Sequence, residues 1–250
     1  MTYSSISSLC LKSRINEPQS QFNQGIGEKE VDLNNSDKKI TDFEFSFDKM
    51  AVGGTSFDEA KLMNICKTYF SRKSGEEVYN ETLEFAKRFD TEYAKLLEDN
   101  KDMMIKFFSI EKDGDRPRKD IAKYSDVKEE FSYAIDSMFE TEDYSKLESD
   151  KTYDLDLIKE YIENVNLDVT NEEWFNSIKE FSVAHGYAGS PKDYKKDPDN
   201  YKGHVGDVCE ALRVVITGRT KSPDLFSIMK ILGKDKIKNR IDLYEKHISK

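Results

Sequence analysis

Glu210-Ala-Leu-Arg-Val-Val-Ile-Thr-Gly218, then Ser222-Pro-Asp-Leu-Phe-Ser-Ile-Met-Lys-Ile-Leu-Gly233, then Arg240-Ile241, is the stretch on which the fold turns. It reads as three short helices with their punctuation in place. Ser222 is the expected N-cap, and Pro223 falls at the first helical position, where no amide donor is needed. Asp224 follows at the positive end of the helix dipole, and Gly233 ends the helix.

Working outward, the same grammar recurs along most of the 250 residues. Capping boxes stand at Ser56-Phe-Asp-Glu59, Ser74-Gly-Glu-Glu77 and Thr170-Asn-Glu-Glu173. The first opens a helix with Leu62, Ile65, Cys66 and Tyr69 on one face. The second opens one that carries Val78, Leu83, Phe85 and Phe89 and is expected to run on toward Leu97. Met103, Met104, Phe107 and Phe108 form a short apolar face before the loop Lys112-Asp-Gly-Asp-Arg-Pro-Arg-Lys119, which Gly114 and Pro117 break. Helical spacing resumes from Tyr124 to Phe139 and again through Leu157, Ile158, Tyr161, Ile162 and Val165. Trp174, Ile178 and Phe181 share an internal face, so the sole tryptophan is read as core packing. His185 to Gly206, with Pro191, Pro198 and four glycines, is expected to be the least regular ordered part. Strand signal is nearly absent, so the fold class is all-α.

The boundaries follow from composition. Residues 1–42 are polar without a sustained period and are expected to be a disordered leader. Residues 43–72 form a linking segment, 73–145 a first helical subdomain and 146–250 a second, with the joint in the polar stretch Thr141 to Asp150.

Composition restricts function. Charged residues make up 35% of the chain and the mean hydropathy is −0.75, yet 15 Phe and 13 Tyr exceed what a disordered chain carries. No apolar run approaches the roughly 18 residues that cross a bilayer. The start lacks the basic-then-apolar order of a secretory signal, and a cytoplasmic chain is expected. Cys10, Cys66 and Cys209 stand far apart, and His185, His204 and His247 lack ligands at helical spacing, so no metal site is expected. The net charge of −10 is uneven. Residues 201–250 hold 11 Lys and Arg against 6 Asp and Glu, while Glu76 to Glu163 carries most of the acid. A basic end on an acidic body suits contact with a nucleic-acid backbone on one face.

Beyond charge, the wording itself is familiar. The carboxy-terminal stretch, Phe45-Ser-Phe-Asp-Lys-Met50 with Gly54-Thr-Ser-Phe-Asp-Glu-Ala-Lys-Leu62, Arg116-Pro-Arg-Lys-Asp-Ile-Ala-Lys-Tyr124, Trp174 to Tyr187 and Tyr201-Lys-Gly-His-Val-Gly-Asp207 closely resemble, in order, bacterial glutamyl-tRNA synthetases. The match runs from Phe43 to the end and covers the part of that family that contacts the tRNA stem and holds the anticodon. The resemblance implies a helical anticodon-binding domain, tRNA-Glu as partner, and neither DNA nor membrane. The family's catalytic domain, with its His-Ile-Gly-His-like and Lys-Met-Ser-Lys-like motifs, has no counterpart. Lys49-Met50 is followed by Ala51-Val52 and sits in the downstream segment. This chain alone is therefore expected to be inactive as a glutamate-tRNA ligase and to hold no cofactor. ATP and Mg2+ belong to the catalytic domain of that family, and a separate catalytic chain is one candidate partner.

Candidate tRNA contacts are Arg116, Arg118 and Lys119, where guanidinium forks flank a stiff proline, and Arg219, Lys221, Lys234 and Lys238 in the basic end. The resemblance implies that an arginine near residue 116 reads an anticodon base, without choosing between Arg116 and Arg118. Each has a structural alternative, capping the preceding helix or pairing with Asp113 or Asp115. Arg213 and Arg240 are read as buried supports. The alternative function is a catalytically dead helical interaction protein, derived from the synthetase, that docks on a full synthetase or another protein.

Overall fold

The computed structural model of the chain describes residues 58–114, 116–141 and 153–248. The leader, the linking segment up to residue 57, the capping box at Ser56 and nearly all of the joint expected at 141–150 lie outside them. Every named element among the described residues is helical, and the single β-type pairing is an isolated parallel bridge between Ala188 and His204.

The chain forms two compact units. In the first, the described residues are helix α1 (Glu59–Ser71) and the segment Lys119–Lys123. Asp58 starts α1, its Oδ1 accepting from the Lys61 amide at 2.9 Å. Cys66 and Phe70 are buried, whereas Leu62, Ile65 and Tyr69 are half-buried.

The second unit holds α2 (Gly75–Phe89), α3 (Thr91–Asp99), α4 (Lys101–Ser109), α5 (Tyr124–Glu130), α6 (Asp136–Phe139), α7 (Leu155–Asn164), α8 (Asn171–Ala184), α9 (Pro191–Lys196), α10 (Val205–Thr217) and α11 (Leu225–Ile248). The capping boxes at Ser74 and Thr170 are both formed. The face that α2 buries differs from the expected one. Val78, Tyr79, Thr82 and Ala86 are buried, Leu83 and Phe85 are half-buried, and Phe89 is exposed. The cause is close approach to α4, because a Cβ on Gly75 would lie 2.7 Å from the Ile105 carbonyl oxygen. Gly75 sets the contact, Val78, Tyr79, Thr82 and Ala86 take the buried face, and Phe85 and Phe89 are turned aside.

Nor does α2 run to Leu97. Asp90 leaves helical geometry at φ −153° and ψ 81°, and its Oδ1 caps α3 by accepting from the Tyr93 amide at 3.0 Å. Tyr124 to Phe139 is likewise broken, into α5, a 3-10 turn at Ser132–Ala134, and α6. Tyr133, Ala134 and Ile135 are consecutive and all buried, which one face of an α-helix cannot achieve. Phe131 packs edge-on against Phe108, and Tyr133 against Phe107, with centroids 5.0 and 5.7 Å apart.

Helix α7 buries Leu157, Ile158, Tyr161 and Ile162, and α8 buries Trp174, Ile178 and Ser182. The Trp174 indole stacks on Phe226 of α11 at 5.1 Å, as core packing requires. Between α8 and α10 the irregular stretch carries α9 and a 3-10 turn at Pro198–Asn200. Backbone bonds from Ala188 to Gly203 at 2.8 Å and from Val205 to Ala188 at 2.9 Å draw its two ends together.

Helices α10 and α11 supply much of the core, including Leu212, Val214, Val215, Ile216, Ile228 and Met229. Gly218 closes α10 at φ 68°, in the left-handed region that favours glycine. Gly233 interrupts α11 at φ 73° and ψ 163°, so the expected break is present inside a longer run. The cap of α11 is two residues later than expected. Asp224 accepts from the Ser227 amide at 2.8 Å, and the Ile228 amide bonds its carbonyl at 3.1 Å. Ser222 and Pro223 stay in the preceding turn because Arg213 engages their carbonyl oxygens.

Candidate nucleic-acid interface

The basic residues are positioned by two irregular segments and by the second half of α11. In the first segment, the loop after α4, Glu111 adopts a left-handed φ of 55°. Its carbonyl accepts from the Arg118 amide at 3.0 Å, closing the loop around Pro117. Its Oε2 accepts from Arg118 Nη1 at 3.2 Å and from the Asp224 amide at 3.0 Å. One carboxylate oxygen thus ties the arginine loop to the start of α11.

The second segment is the turn between α10 and α11. Arg213 Nη1 donates to the carbonyl oxygens of Ser222 at 3.1 Å and Pro223 at 2.9 Å, and also to the Ser222 hydroxyl. Burial pulls the Arg213 guanidinium below its ordinary pKa, and the like charge of Arg118 adds to the effect. Two guanidinium groups therefore lie near the same turn from different elements, beside the carboxylates of Glu111 and Asp224.

The structure sorts the sequence candidates into groups. Arg118 is three-quarters buried at its side chain and meets the turn through Glu111; Arg116, two residues earlier, is exposed. Lys119 belongs to the other compact unit, where its Nζ donates to Thr68 Oγ1 at 3.0 Å. Lys221 is exposed within the turn. Arg219 points back to α5 and the 3-10 turn, donating from Nη2 to the Glu129 carbonyl and to Ser132 Oγ at 2.9 Å. Lys234 and Lys238 lie elsewhere, at the carboxy-terminal end of α7. Lys234 bonds the Glu163 carbonyl at 3.1 Å and Lys238 pairs with the Glu163 carboxylate at 2.7 Å.

Arg240 is a buried support, as the sequence implied, at 2% exposure. It donates to the Ile216 carbonyl at 2.7 Å and to Asp136 at 3.1 Å, and lies 4.2 Å over the Phe139 ring. Arg213 holds the turn in the same manner but is only half-buried. Sequence reading missed Glu111, which has no periodic neighbours and makes its contacts across more than a hundred residues to Asp224. Among the described residues, no helix is long and apolar enough to cross a membrane.

Comparisons with known proteins converge on the same region. The family described as "Anticodon binding domain" matches residues 199–244, which span α10, the turn and most of α11. The glutamate--tRNA ligase of Acetivibrio thermocellus is 38% identical over 209 residues, covering 84% of this chain and 38% of that protein. The Clostridium beijerinckii glutamate--tRNA ligase is 36% identical over 208 residues, with 81% and 38% coverage. A crystal structure of glutamate-tRNA synthetase from Elizabethkingia anophelis aligns with 80% of this chain and 34% of that one, at 18% identity and a TM-score of 0.46. The chain thus spans a little over a third of the length of the curated relatives it matches. Over the aligned residues the chain is homologous to glutamate--tRNA ligases, and part of that stretch matches an anticodon-binding domain.

Proposed function

We propose that this chain binds tRNA, and specifically tRNA-Glu, by its anticodon arm, as the RNA-recognising part of glutamyl-tRNA formation in the cytoplasm. The observation that carries the reading is the joint formed by Glu111. It sets Arg118 against the very turn that the anticodon-binding family match spans. Arg116, Arg118, Arg219 and Lys221 are the contacts nearest this joint in sequence or space, with Lys119, Lys234 and Lys238 meeting backbone phosphates further along the arm. Single-stranded anticodon bases suit this chemistry, since they stack on guanidinium planes and expose their edges to bidentate donors. Glutamate activation, with its ATP and Mg2+, lies in a catalytic part that this sequence does not supply, whether on the same polypeptide or another. The chain alone charges no tRNA in this reading.

A second reading has its own observation. Arg118, Arg219, Lys234 and Lys238 all have intramolecular partners, as expected of a helical protein that kept the fold and docks on a synthetase or other protein instead of RNA. The Lys238–Glu163 pair, which water reaches on both sides, is weak and exchanges readily for phosphate.

Titration of the purified chain with tRNA-Glu and an altered-anticodon tRNA, at several salt concentrations, separates the two. Affinity should fall linearly with salt on logarithmic axes and favour tRNA-Glu. Absence of any salt-dependent binding would overturn the RNA reading in favour of protein docking.

A further inference from the structure

Glu111 is an odd residue for its place. It sits at φ 55°, where glycine or asparagine is accommodated with less strain, and its carboxylate is 48% exposed, so burial does not hold it there. With Asp224 it brings negative charge to a joint that holds Arg118 and Arg213, which works against attraction of an RNA backbone. What distinguishes it is geometry: one oxygen accepts from both Arg118 Nη1 and the Asp224 amide, while its own carbonyl holds the Arg118 backbone.

We propose that Glu111 is the positioning residue of the RNA site, fixing the Arg118 guanidinium against the Ser222–Asp224 turn so that it reads an anticodon base. The proposal rests on the tRNA reading above. A guanidinium reads a base edge only in a defined plane, and a plane fixed before binding spares the ordering that binding would otherwise require. Glu111 therefore governs discrimination between anticodons more than total affinity. Its charge is dispensable, and its acceptor oxygen is not.

The test compares Glu111→Gln, Glu111→Gly and Arg118→Lys, using the full chain, tRNA-Glu and the altered-anticodon tRNA. Glutamine keeps an acceptor at the same reach, so E111Q should retain the wild-type preference while binding both tRNAs slightly tighter. Glycine relaxes the backbone but removes the acceptor. E111G should thus keep its melting temperature and lose about tenfold of the preference. Adding Arg118→Lys to E111G should cost nothing further. Retention of the full preference by E111G, or identical behaviour of E111Q and E111G, overturns the proposal, the latter because it would mark Glu111 as a charge and nothing more. Should E111G fail to fold, Glu111→Asn replaces it, since asparagine tolerates the left-handed region but is one methylene too short to hold the same geometry. A wild-type chain without salt-dependent binding or anticodon preference is a separate result, seen before any substitution. It overturns the tRNA reading and this proposal with it.

Discussion

Asp136 and Glu111 are two carboxylates that do the same local job with different surroundings. Each holds an arginine and each bridges to α11 or its cap across about a hundred residues, Asp136 through Lys236 and Arg240 and Glu111 through the Asp224 amide. Asp136, at the start of α6, accepts from Lys236 and from Arg240, and Arg240 is sealed between the Ile216 carbonyl and the Phe139 ring. Glu111 accepts from Arg118 in a loop; the two carboxylates are about equally exposed, and the difference lies in the arginines, since Arg118 keeps 25% of its side-chain exposure against 2% for Arg240. An arginine buried under an aromatic and spent on a backbone carbonyl cannot leave without stranding its partners. One oriented by a single carboxylate oxygen that water also reaches is held in place yet lies within reach of a ligand. The first arrangement builds the fold; the second suits binding.

If that contrast is right, the largest effect belongs to Arg240. Arg240→Met fills much of the same volume but leaves the Ile216 carbonyl and one Asp136 oxygen without their donors. A loss of about 3 kcal/mol is expected, as for removing one partner of a buried charged hydrogen bond. Urea denaturation reads it directly. A change below about 1 kcal/mol would mean that water replaces the guanidinium and that the two clusters do not differ in kind.

Asp136 offers a second, smaller effect. Burial pushes its carboxyl up, but hydrogen bonds from Lys236 and Arg240 outweigh this and hold it below the ordinary carboxylate range. A folded-state pKa below the unfolded one means stabilisation that is present above about pH 4 and lost as pH falls through the folded value. Asp136→Asn should therefore be less stable than wild type at neutral pH. The gap between them should close under acid, as followed by thermal melts from pH 7 down to pH 2. A gap independent of pH would assign the role of Asp136 to helix capping, not to its charge.

These two clusters also mark how far the sequence could be read. Arg240 was legible as a support because it stands between Ile237 and Ile241, which are four residues apart and share one helix face. The capping boxes at Ser74 and Thr170 were legible because their partners lie three residues away. Contacts made across long separations were not. The Gly75 approach to α4 chose the face of α2 against the weight of Leu83, Phe85 and Phe89. The cap of α11 moved from Ser222 to Asp224 because Arg213, on another helix, engages Ser222. Arg116 and Arg118 were singled out together by a proline and two guanidinium forks. Which of them faces the turn depends on Glu111, and no local pattern advertises Glu111.

On the binding side, Arg118→Ala should cost less than about 1 kcal/mol of stability, since its pair with Glu111 is partly solvated. Its effect should appear in recognition. Arg118→Lys keeps the charge and loses the planar fork, so it should narrow the preference for tRNA-Glu by the equivalent of about 1–3 kcal/mol, whereas Arg116→Lys should not. The reverse outcome would move base reading to Arg116 and leave Arg118 as part of the joint. Destabilisation by Arg118→Ala as large as that of Arg240→Met would erase the distinction between the two carboxylate clusters.

The smallest effect is expected in the second half of α11, where Lys238 pairs with Glu163 at 2.7 Å and the two side chains are 42% and 63% exposed. The hydrogen bond holds the Glu163 carboxyl below its ordinary value, yet water and salt reach both partners. Lys238→Ala should leave the melting temperature unchanged within error. If the lysine meets a phosphate, as proposed, its loss weakens every tRNA alike and makes the salt dependence shallower by about one unit of slope, with no change in anticodon preference. A lysine on a mobile stem carries charge without a fixed plane, so uniform weakening is the signature of position on the backbone, just as loss of preference is the signature of a base contact. If Lys238→Ala instead narrowed the preference, the anticodon bases would have to lie along α7 and the second half of α11. The joint built by Glu111 would then be a structural clamp without a part in reading the RNA.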